Sequence, residues 1–493
     1  MRLGELTQRL DLALSASWAE IEVAMVGDDS RRVVRGGLFA ALPGPQKSGE
    51  EFIPQAVMNG ARVVLVAQNA DRDLETRFPG VCFLRVEEPL AAFRSIVDKF
   101  FGHPSDKVRV IGVTGTNGKT TITYLVEAIL AAAGHRSGIV GTVNCRVGGR
   151  SIPSKNTTPG LVDNQAFLDE LSRQGVSHAV MEVSSHALDQ GRVDLIDFRG
   201  AVFTNLTGDH LDYHKTMEKY FEAKARLFTG LHGRAYAVLN QDDIYGQALL
   251  SRTPVRAITY GRRKAADVMA TAESLGLEGT RFQVRAFGDE FPLRTPLIGV
   301  HNIYNILAAF AVGIGEGIAP DVIVRGVEAL RHIPGRLERV PVGNGFHVFI
   351  DYAHTDDGLR NVLESLQVVK HKRIIVVFGC GGDRDRTKRP RMGKVASDLA
   401  DLSILTSDNP RGEDPQAIVD EIIPGFDRAS YDVILDRREA IARALDIAQE
   451  GDIVLLAGKG HETYQVFRDR TVDFVERDIV IGHLNRRAQK EGA

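Results

Sequence analysis

The stretch Gly115-Thr116-Asn117-Gly118-Lys119-Thr120-Thr121 has the residue types and spacing to hold a nucleoside triphosphate. Glycines let backbone N–H groups approach phosphate oxygens, and a helix start adds partial positive charge. Lys119 is spaced to reach the outer phosphates, and the Thr120 hydroxyl to ligate Mg²⁺. The strict phosphate-loop pattern asks for glycine where Val113 stands; Gly112 and Gly115 flank it instead. Other chemically capable groups follow. Glu182 ends an apolar run before Val183-Ser184-Ser185-His186, where its carboxylate would face the glycine loop from a neighbouring strand as a direct or second-sphere ligand of Mg²⁺. Asp209-His210-Leu211-Asp212-Tyr213-His214 crowds acids and histidines together, a spacing that on its own reads as a solvated turn. Lys224 falls in a helical stretch, where a lysine is ordinarily a surface residue. Asn302 and Asn305 are spaced to share one helical face. Arg336 and Asp351 add a cation and an acid, and Asp408-Asn409-Pro410-Arg411 is a rigid turn that presents a guanidinium.

These groups need a scaffold, and the apolar runs outline one. Residues 108–113 read as a buried strand feeding the glycine loop, and 122–133 as the helix that follows it. Strands at 179–183, 200–204 and 236–239, separated by helical segments, predict a mostly parallel sheet. Residues 264–295 alternate apolar and polar with glycine turns, which predicts an antiparallel excursion. Runs at 348–350, 373–378, 402–406 and 452–456, with helices at 357–368 and 437–449, predict a doubly wound domain. In such a fold ligands sit at the carboxyl ends of the strands, and Asp351, Gly379-Cys380-Gly381-Gly382, Asp408 and Gly458 fall there. The fold class is α/β in three domains. Residues 1–97 form a small N-terminal α/β domain with strands at 37–42 and 61–67 and a helix at 53–59. Residues 98–335 form a central P-loop domain, and 336–493 a C-terminal Rossmann-like domain.

A chain of 493 residues exceeds one hydrophobic core, so several domains are expected. A net charge of -3 gives no basic excess for nucleic acid or an anionic membrane. Cys82, Cys145 and Cys380 have no metal-type spacing and suit a reducing cytoplasm. There is no signal-peptide pattern at the start and no apolar run of membrane-spanning length.

The Thr114–Thr121 segment resembles the ATP loop of the Mur ligase family almost letter for letter, and matching motifs follow in all three domains in the family's order. These ligases add amino acids to the peptide stem of peptidoglycan. The resemblance implies a cytoplasmic, monomeric, ATP- and Mg²⁺-dependent amide ligase. It implies ATP contacts at 115–121 (Gly115, Thr116, Asn117, Gly118, Lys119, Thr120, Thr121), Asn302, Asn305, Arg336 and Asp351. It makes Lys119, Glu182, His210 and Lys224 the catalytic set, with metal held by Thr120, Glu182, His210 and Lys224 as a CO₂-derived carbamate. It further implies that Ser30, Pro45, Gln46, Lys47, Asn156, Thr157, Thr158, Ser184, Gln190 and Arg192 bind a UDP-sugar peptide. Asp408, Asn409, Pro410 and Arg411, with Arg384, Gly458 and Glu462, resemble the site for meso-diaminopimelate, whose second carboxylate matches an arginine fork. Lysine would meet Arg411 as a like charge. Two positions depart from the family pattern: Asp356 and Arg35 stand where proline is usual. The alternatives are the lysine-adding relative, a folylpolyglutamate synthetase, and a P-loop switch that hydrolyses ATP to drive a partner.

Overall fold

The computed structural model describes residues 1–491 except 11, 13, 45–47, 144, 148–149, 153–155, 344, 371 and 428–430. The chain forms two compact units. The first comprises Met1–Arg109, Pro159–Ser177 and Gln190–Asp197; the second comprises Val110–Thr158, His178–Asp189 and Phe198–Ala493.

The first unit is built on four parallel strands in the order β1 (Val26–Gly27), β2 (Gly37–Ala40), β3 (Ala61–Ala67) and β4 (Cys82–Val86). Helix α1 (Ile53–Met58) lies between β2 and β3 in the chain, and α2 (Pro89–Phe101) follows β4. The apolar face of α2, through Ala92, Phe93, Ile96 and Val97, shares a core with Leu38, Val63, Leu65 and Leu84. Leu161, Val162 and Leu195, from the two later segments, pack against that core. The helix runs through the boundary drawn at 97/98 and ends at Gly102, which takes the left-handed conformation that favours glycine (φ 66°).

The second unit contains two large sheets. The first has eleven strands: β5 (Arg109–Thr114), β6 (Ser137–Val140), β7 (Cys145–Val147), β8 (Arg150–Ile152), β9 (His178–Glu182), β10 (Phe198–Phe203), β11 (Tyr236–Asn240), β12 (Arg256–Gly261), β13 (Val268–Gly276), β14 (Gly279–Ala286) and β15 (Asp289–Thr295). Their order is β15-β14-β13-β12-β11-β10-β5-β9-β6-β7-β8. The strands from β5 through β10 and β11 to β12 pair in parallel, as β6 does with β9. The excursion expected at 264–295 is the antiparallel meander β13–β15. Helix α3 (Lys119–Ala132) follows β5, α4 (Met217–Thr229) precedes β11, and α5 (Val300–Gly315) follows the meander. Helix α5 is apolar on nearly every side because it is buried in the core that it shares with α3 and the sheet.

The other sheet holds β16 (Glu338–Val340), β17 (His347–Asp351), β18 (Ile374–Phe378), β19 (Leu402–Leu405), β20 (Tyr431–Val433) and β21 (Ile453–Ala457), in the order β16-β17-β21-β18-β19-β20. All of its pairs are parallel except β16–β17. Strand β18, Ile-Ile-Val-Val-Phe, is buried along its whole length, as a central parallel strand between helix layers must be. Helices α6 (Asp356–Val369) and α7 (Lys388–Leu399) pack on one face and α8 (Arg437–Ile447) on the other. Parallel pairing carries the segments after β17, β18, β19 and β21 to one edge, and these are the segments singled out in the sequence. Among the described residues no helix is long and apolar enough to cross a membrane.

Candidate active site

Strand β5 ends in the core at Thr114, and the chain turns through the glycine loop into α3. Gly118 is the cap of α3, with φ 89°, and a Cβ there would sit 2.4 Å from Asn305 Oδ1. Only glycine lets the loop lie against α5 this closely. Asn305 donates to Asn302 Oδ1 at 3.0 Å and Asn302 to the Ile298 carbonyl at 2.8 Å, so both amides are fixed beside the loop. The Lys119 ammonium donates to the carbonyls of Gly115 (2.9 Å) and Thr116 (2.8 Å). Burial holds its pKa below the ordinary lysine value.

An acidic centre lies next to this loop. Glu182, at the end of β9, is 1% exposed. It accepts from Thr120 Oγ1 at 3.1 Å, from the Thr142 N–H at 2.9 Å and from Thr142 Oγ1 at 3.0 Å. Thr157 Oγ1 is 3.1 Å from the Thr142 hydroxyl. Thr158 donates to the Glu182 carbonyl at 2.8 Å and accepts the Ser184 N–H at 3.0 Å. Thr157 thus reaches the carboxylate through Thr142, whereas Thr158 and Ser184 hold the backbone at and after Glu182. Lys224 does not lie on a solvated helix face: it is 1% exposed and points from α4 into the core. Its amine donates to the Gly115 carbonyl at 3.0 Å and sits 4.7 Å from the Tyr220 ring centre. Burial, then the nearby Lys119, push its pKa well below that of an ordinary lysine. His210 has φ 56° and its Nε2 lies 3.4 Å from Asp209 Oδ2, with the ring edge-on to His186. Among the described residues no three His, Cys, Asp or Glu side chains come together as a metal site.

The C-terminal sheet supplies the opposite wall. Arg336 donates to Thr120 Oγ1 at 3.0 Å and lies over the Tyr352 ring. Asp351, buried at the end of β17, accepts the N–H groups of Leu337 (2.7 Å) and Ala353 (2.7 Å). Burial raises its pKa above the usual carboxylate value. Asp357, in the first turn of α6, accepts from Asn117 Nδ2 at 2.6 Å and Thr207 Oγ1 at 2.9 Å. Asp356, at the usual proline position, opens α6 behind the Thr355 cap and pairs with Arg391. A cavity of about 710 Å³ flanks Arg336 and is lined by Ile298, Ile333, Leu337 and Phe349.

The loops after β18, β19 and β21 form a third cluster. Lys459 is fully buried and donates to Asn409 Oδ1 (3.1 Å), Glu462 Oε2 (3.2 Å) and Asp408 Oδ1 (3.5 Å). Asn409 Nδ2 also donates to Glu462 at 2.8 Å. Gly458 lies against Asp408: a Cβ there would sit 3.7 Å from its carboxyl carbon. Arg411 donates to the Gly382 carbonyl at 2.9 Å, and Arg384 to the Asp383 carbonyl at 3.1 Å. Among the described residues neither guanidinium is paired with a carboxylate.

The residues expected to bind a UDP-sugar peptide fall in both units. Ser30 donates to Gln55 at 2.6 Å, and Arg192 donates to Gln190 Oε1 at 2.6 Å through Nη2, all within the first unit. Asn156, Thr157, Thr158 and Ser184 belong to the second. Pro45, Gln46 and Lys47 lie outside the described residues. Thr142, Asp357 and Lys459 were not picked out from the sequence, although each fastens a residue that was.

An ATP-type loop, a buried carboxylate beside it and a Rossmann-like sheet completing the site define a class. The chain belongs to the Mur ligase family. Residues 113–313 match the Mur ligase middle domain, 335–460 the Mur ligase glutamate ligase domain, and 22–96 the Mur ligase family catalytic domain. It is 44% identical over 485 residues to the UDP-N-acetylmuramoyl-L-alanyl-D-glutamate–2,6-diaminopimelate ligase of Solibacter usitatus, covering 97% of each chain. The enzyme of that name from Geobacter metallireducens is 42% identical over 513 residues, with 99% of each covered. A solved structure with the same name is 33% identical, with a TM-score of 0.69, covering 99% of this chain and all of that one. Folylpolyglutamate synthase of Mycobacterium tuberculosis, at 19% identity and TM-score 0.62 over 80% of this chain and 94% of its own, shares the fold.

Proposed function

We propose that this chain is the ATP-dependent amide ligase that adds meso-2,6-diaminopimelate to UDP-N-acetylmuramoyl-L-alanyl-D-glutamate in peptidoglycan precursor synthesis. The observation that carries the choice of amino acid is the Asp408–Arg411 loop, at the ligand edge of the C-terminal sheet, with a guanidinium unmatched by any carboxylate of the described residues. ATP is held by residues 115–121, by Asn302 and Asn305, and by Arg336 and Asp351. The UDP-sugar dipeptide is bound by Ser30, residues 45–47, Asn156, Thr157, Thr158, Ser184, Gln190 and Arg192. Diaminopimelate meets Arg384, Asp408, Asn409, Pro410, Arg411, Gly458 and Glu462. The enzyme acts as a cytoplasmic monomer.

Oxygen donors fit a hard cation. The buried Glu182 carboxylate and the Thr120 hydroxyl bonded to it would hold Mg²⁺, with His210 and Lys224, as a carbamate, as the further metal ligands. When bound, Mg²⁺ offsets charge on the phosphoryl group being transferred. Lys119 and Arg336 supply fixed positive charge to the same group. The substrate's γ-carboxylate takes the phosphoryl group from ATP, giving an acyl phosphate and ADP. The diaminopimelate amine attacks that carbonyl, and the tetrahedral intermediate collapses to amide and phosphate. Phosphate release separates this reading from an ATP-driven switch. It should require both UDP-muramyl dipeptide and diaminopimelate; release that needs neither, but responds to a protein partner, would reject the ligase.

A further inference from the structure

Arg389, in the first turn of α7, is fully buried. A buried guanidinium needs acceptors, and it finds them in Glu413. Nη2 donates to Oε1 at 2.8 Å and Nη1 to Oε2 at 3.0 Å, a fork-to-fork pair. Nη1 also donates to Glu421 at 2.9 Å, and Nη2 reaches the Gly381 carbonyl at 3.4 Å. Glu413 Oε1 accepts the Asp383 N–H at 2.6 Å as well. One carboxylate thus ties α7 to the loop after β18, while itself belonging to the loop after β19. Return bonds run the other way: the Gly412 N–H donates to Asp383 Oδ2 at 3.0 Å, and the Gly382 N–H to the Asn409 carbonyl at 2.9 Å.

The junction is also conformationally costly. Asp383 (φ 53°) and Arg411 (φ 51°) both occupy the left-handed region. Non-glycine residues stay there only where their surroundings enforce it. At Gly382 a Cβ would lie 1.9 Å from the Pro410 carbonyl oxygen, so the two loops touch backbone to backbone.

We propose that Arg389 and Glu413 are positioning residues for amino-acid choice: the pair that they form sets the spacing between Arg384 and Arg411, and so the separation of the two carboxylates that the site accepts. This rests on the reading that those two arginines bind diaminopimelate. An amino acid with a carboxylate at each end is measured by that spacing, whereas lysine, with one, is not. Glu421 is the internal control, because it pairs with the side chains of Arg386 and Arg389 but, unlike Glu413, does not link the loop after β18 to the loop after β19.

The test compares wild type with Glu413→Gln, Glu413→Asp, Glu421→Gln and Arg411→Ala, measuring kcat and KM for meso-diaminopimelate, L-lysine and ATP. Glutamine turns one acceptor into a donor facing Arg389. The expected result is a rise of about tenfold in KM for diaminopimelate, an unchanged KM for ATP, a similar loss of selectivity over lysine, and Glu421→Gln within about twofold of wild type. Equal losses on every substrate, or unchanged selectivity in a folded Glu413 variant, overturn the proposal. Glu413→Asp, which keeps the charge at shorter reach, gives the same comparison if Glu413→Gln does not fold. If Arg411→Ala shifts selectivity and neither Glu413 variant does, the positioning role falls and the binding site stands. If none of the three shifts it, the site assignment falls and takes this inference with it.

Discussion

Burial, and then the nearby Lys119, lower the pKa of the Lys224 amine well below the ordinary lysine value. The neutral amine is the form that attacks CO₂, so this lowered pKa supports the first step towards the proposed carbamate. Both Lys224→Ala and Lys224→Arg should therefore lose activity, by about 100-fold or more, since a guanidinium stays charged and cannot be carboxylated. A small carboxylic acid added to Lys224→Ala should restore part of the turnover. Normal turnover by a folded Lys224→Arg protein would remove the carbamate from the mechanism. Lys119→Ala should abolish product formation while leaving the circular dichroism spectrum intact. Glu413 bears on pH. The Arg389 guanidinium pulls its carboxyl from 4.5 down to about 2. A carboxyl lowered on folding contributes stability that is complete above its unfolded value and disappears as pH falls through the folded one. Wild type should accordingly lose stability between about pH 4.5 and 2 more steeply than Glu413→Gln does. Parallel denaturant midpoints for the two proteins across that window would contradict the pairing.

Two connections between elements fasten the chemistry. The turn after β6 brings Thr142 against the end of β9, and the first turn of α6 brings Asp357 onto the phosphate loop. Thr142→Val keeps the backbone bond to Glu182 but removes the hydroxyl bond, and should lower kcat about tenfold with little change in melting temperature. Asp357→Ala strands the donors of Asn117 and Thr207, and should lower kcat/KM for ATP by about tenfold or more. Unchanged ATP kinetics in either variant would show that these contacts only decorate the fold. The strands could be read from the sequence because their apolar runs are local; β18, β19 and β21 emerge within a residue or two of the runs that predicted them. The glycine loop was legible for the same reason, as strand, turn and helix start are contiguous. Thr142 and Asp357 were not, because each is a single polar residue whose partner is distant: Thr142 lies 40 residues from Glu182, and Asp357 lies 240 from Asn117. Lys224 was legible only by family resemblance, since its helix carries charged residues on both sides and burial depends on what packs above it.

On the scale of the molecule, the first unit is assembled from three stretches of chain. The later two contribute apolar cover from Leu161, Val162 and Leu195, and ion pairs join Arg32 to Asp163 and Arg94 to Asp194. Amides fasten those two stretches to each other: Asn164 donates to the Arg192 carbonyl at 2.9 Å and Gln165 to that of Leu195 at 3.0 Å. A fragment of residues 1–109 should therefore melt without a cooperative transition, while the full chain melts sharply; a sharp melt of the fragment would show that the later stretches are dispensable. The same connectivity imposes a schedule on synthesis. The N-terminal unit cannot close its core until residue 197 has left the ribosome, on the order of 10 s after residue 110 at bacterial or eukaryotic elongation rates. By then β5, α3, β6 and β9 of the neighbouring unit have also emerged. The first part to be translated is thus not the first part that can be finished, and for that interval its uncovered apolar face is a natural client for a chaperone.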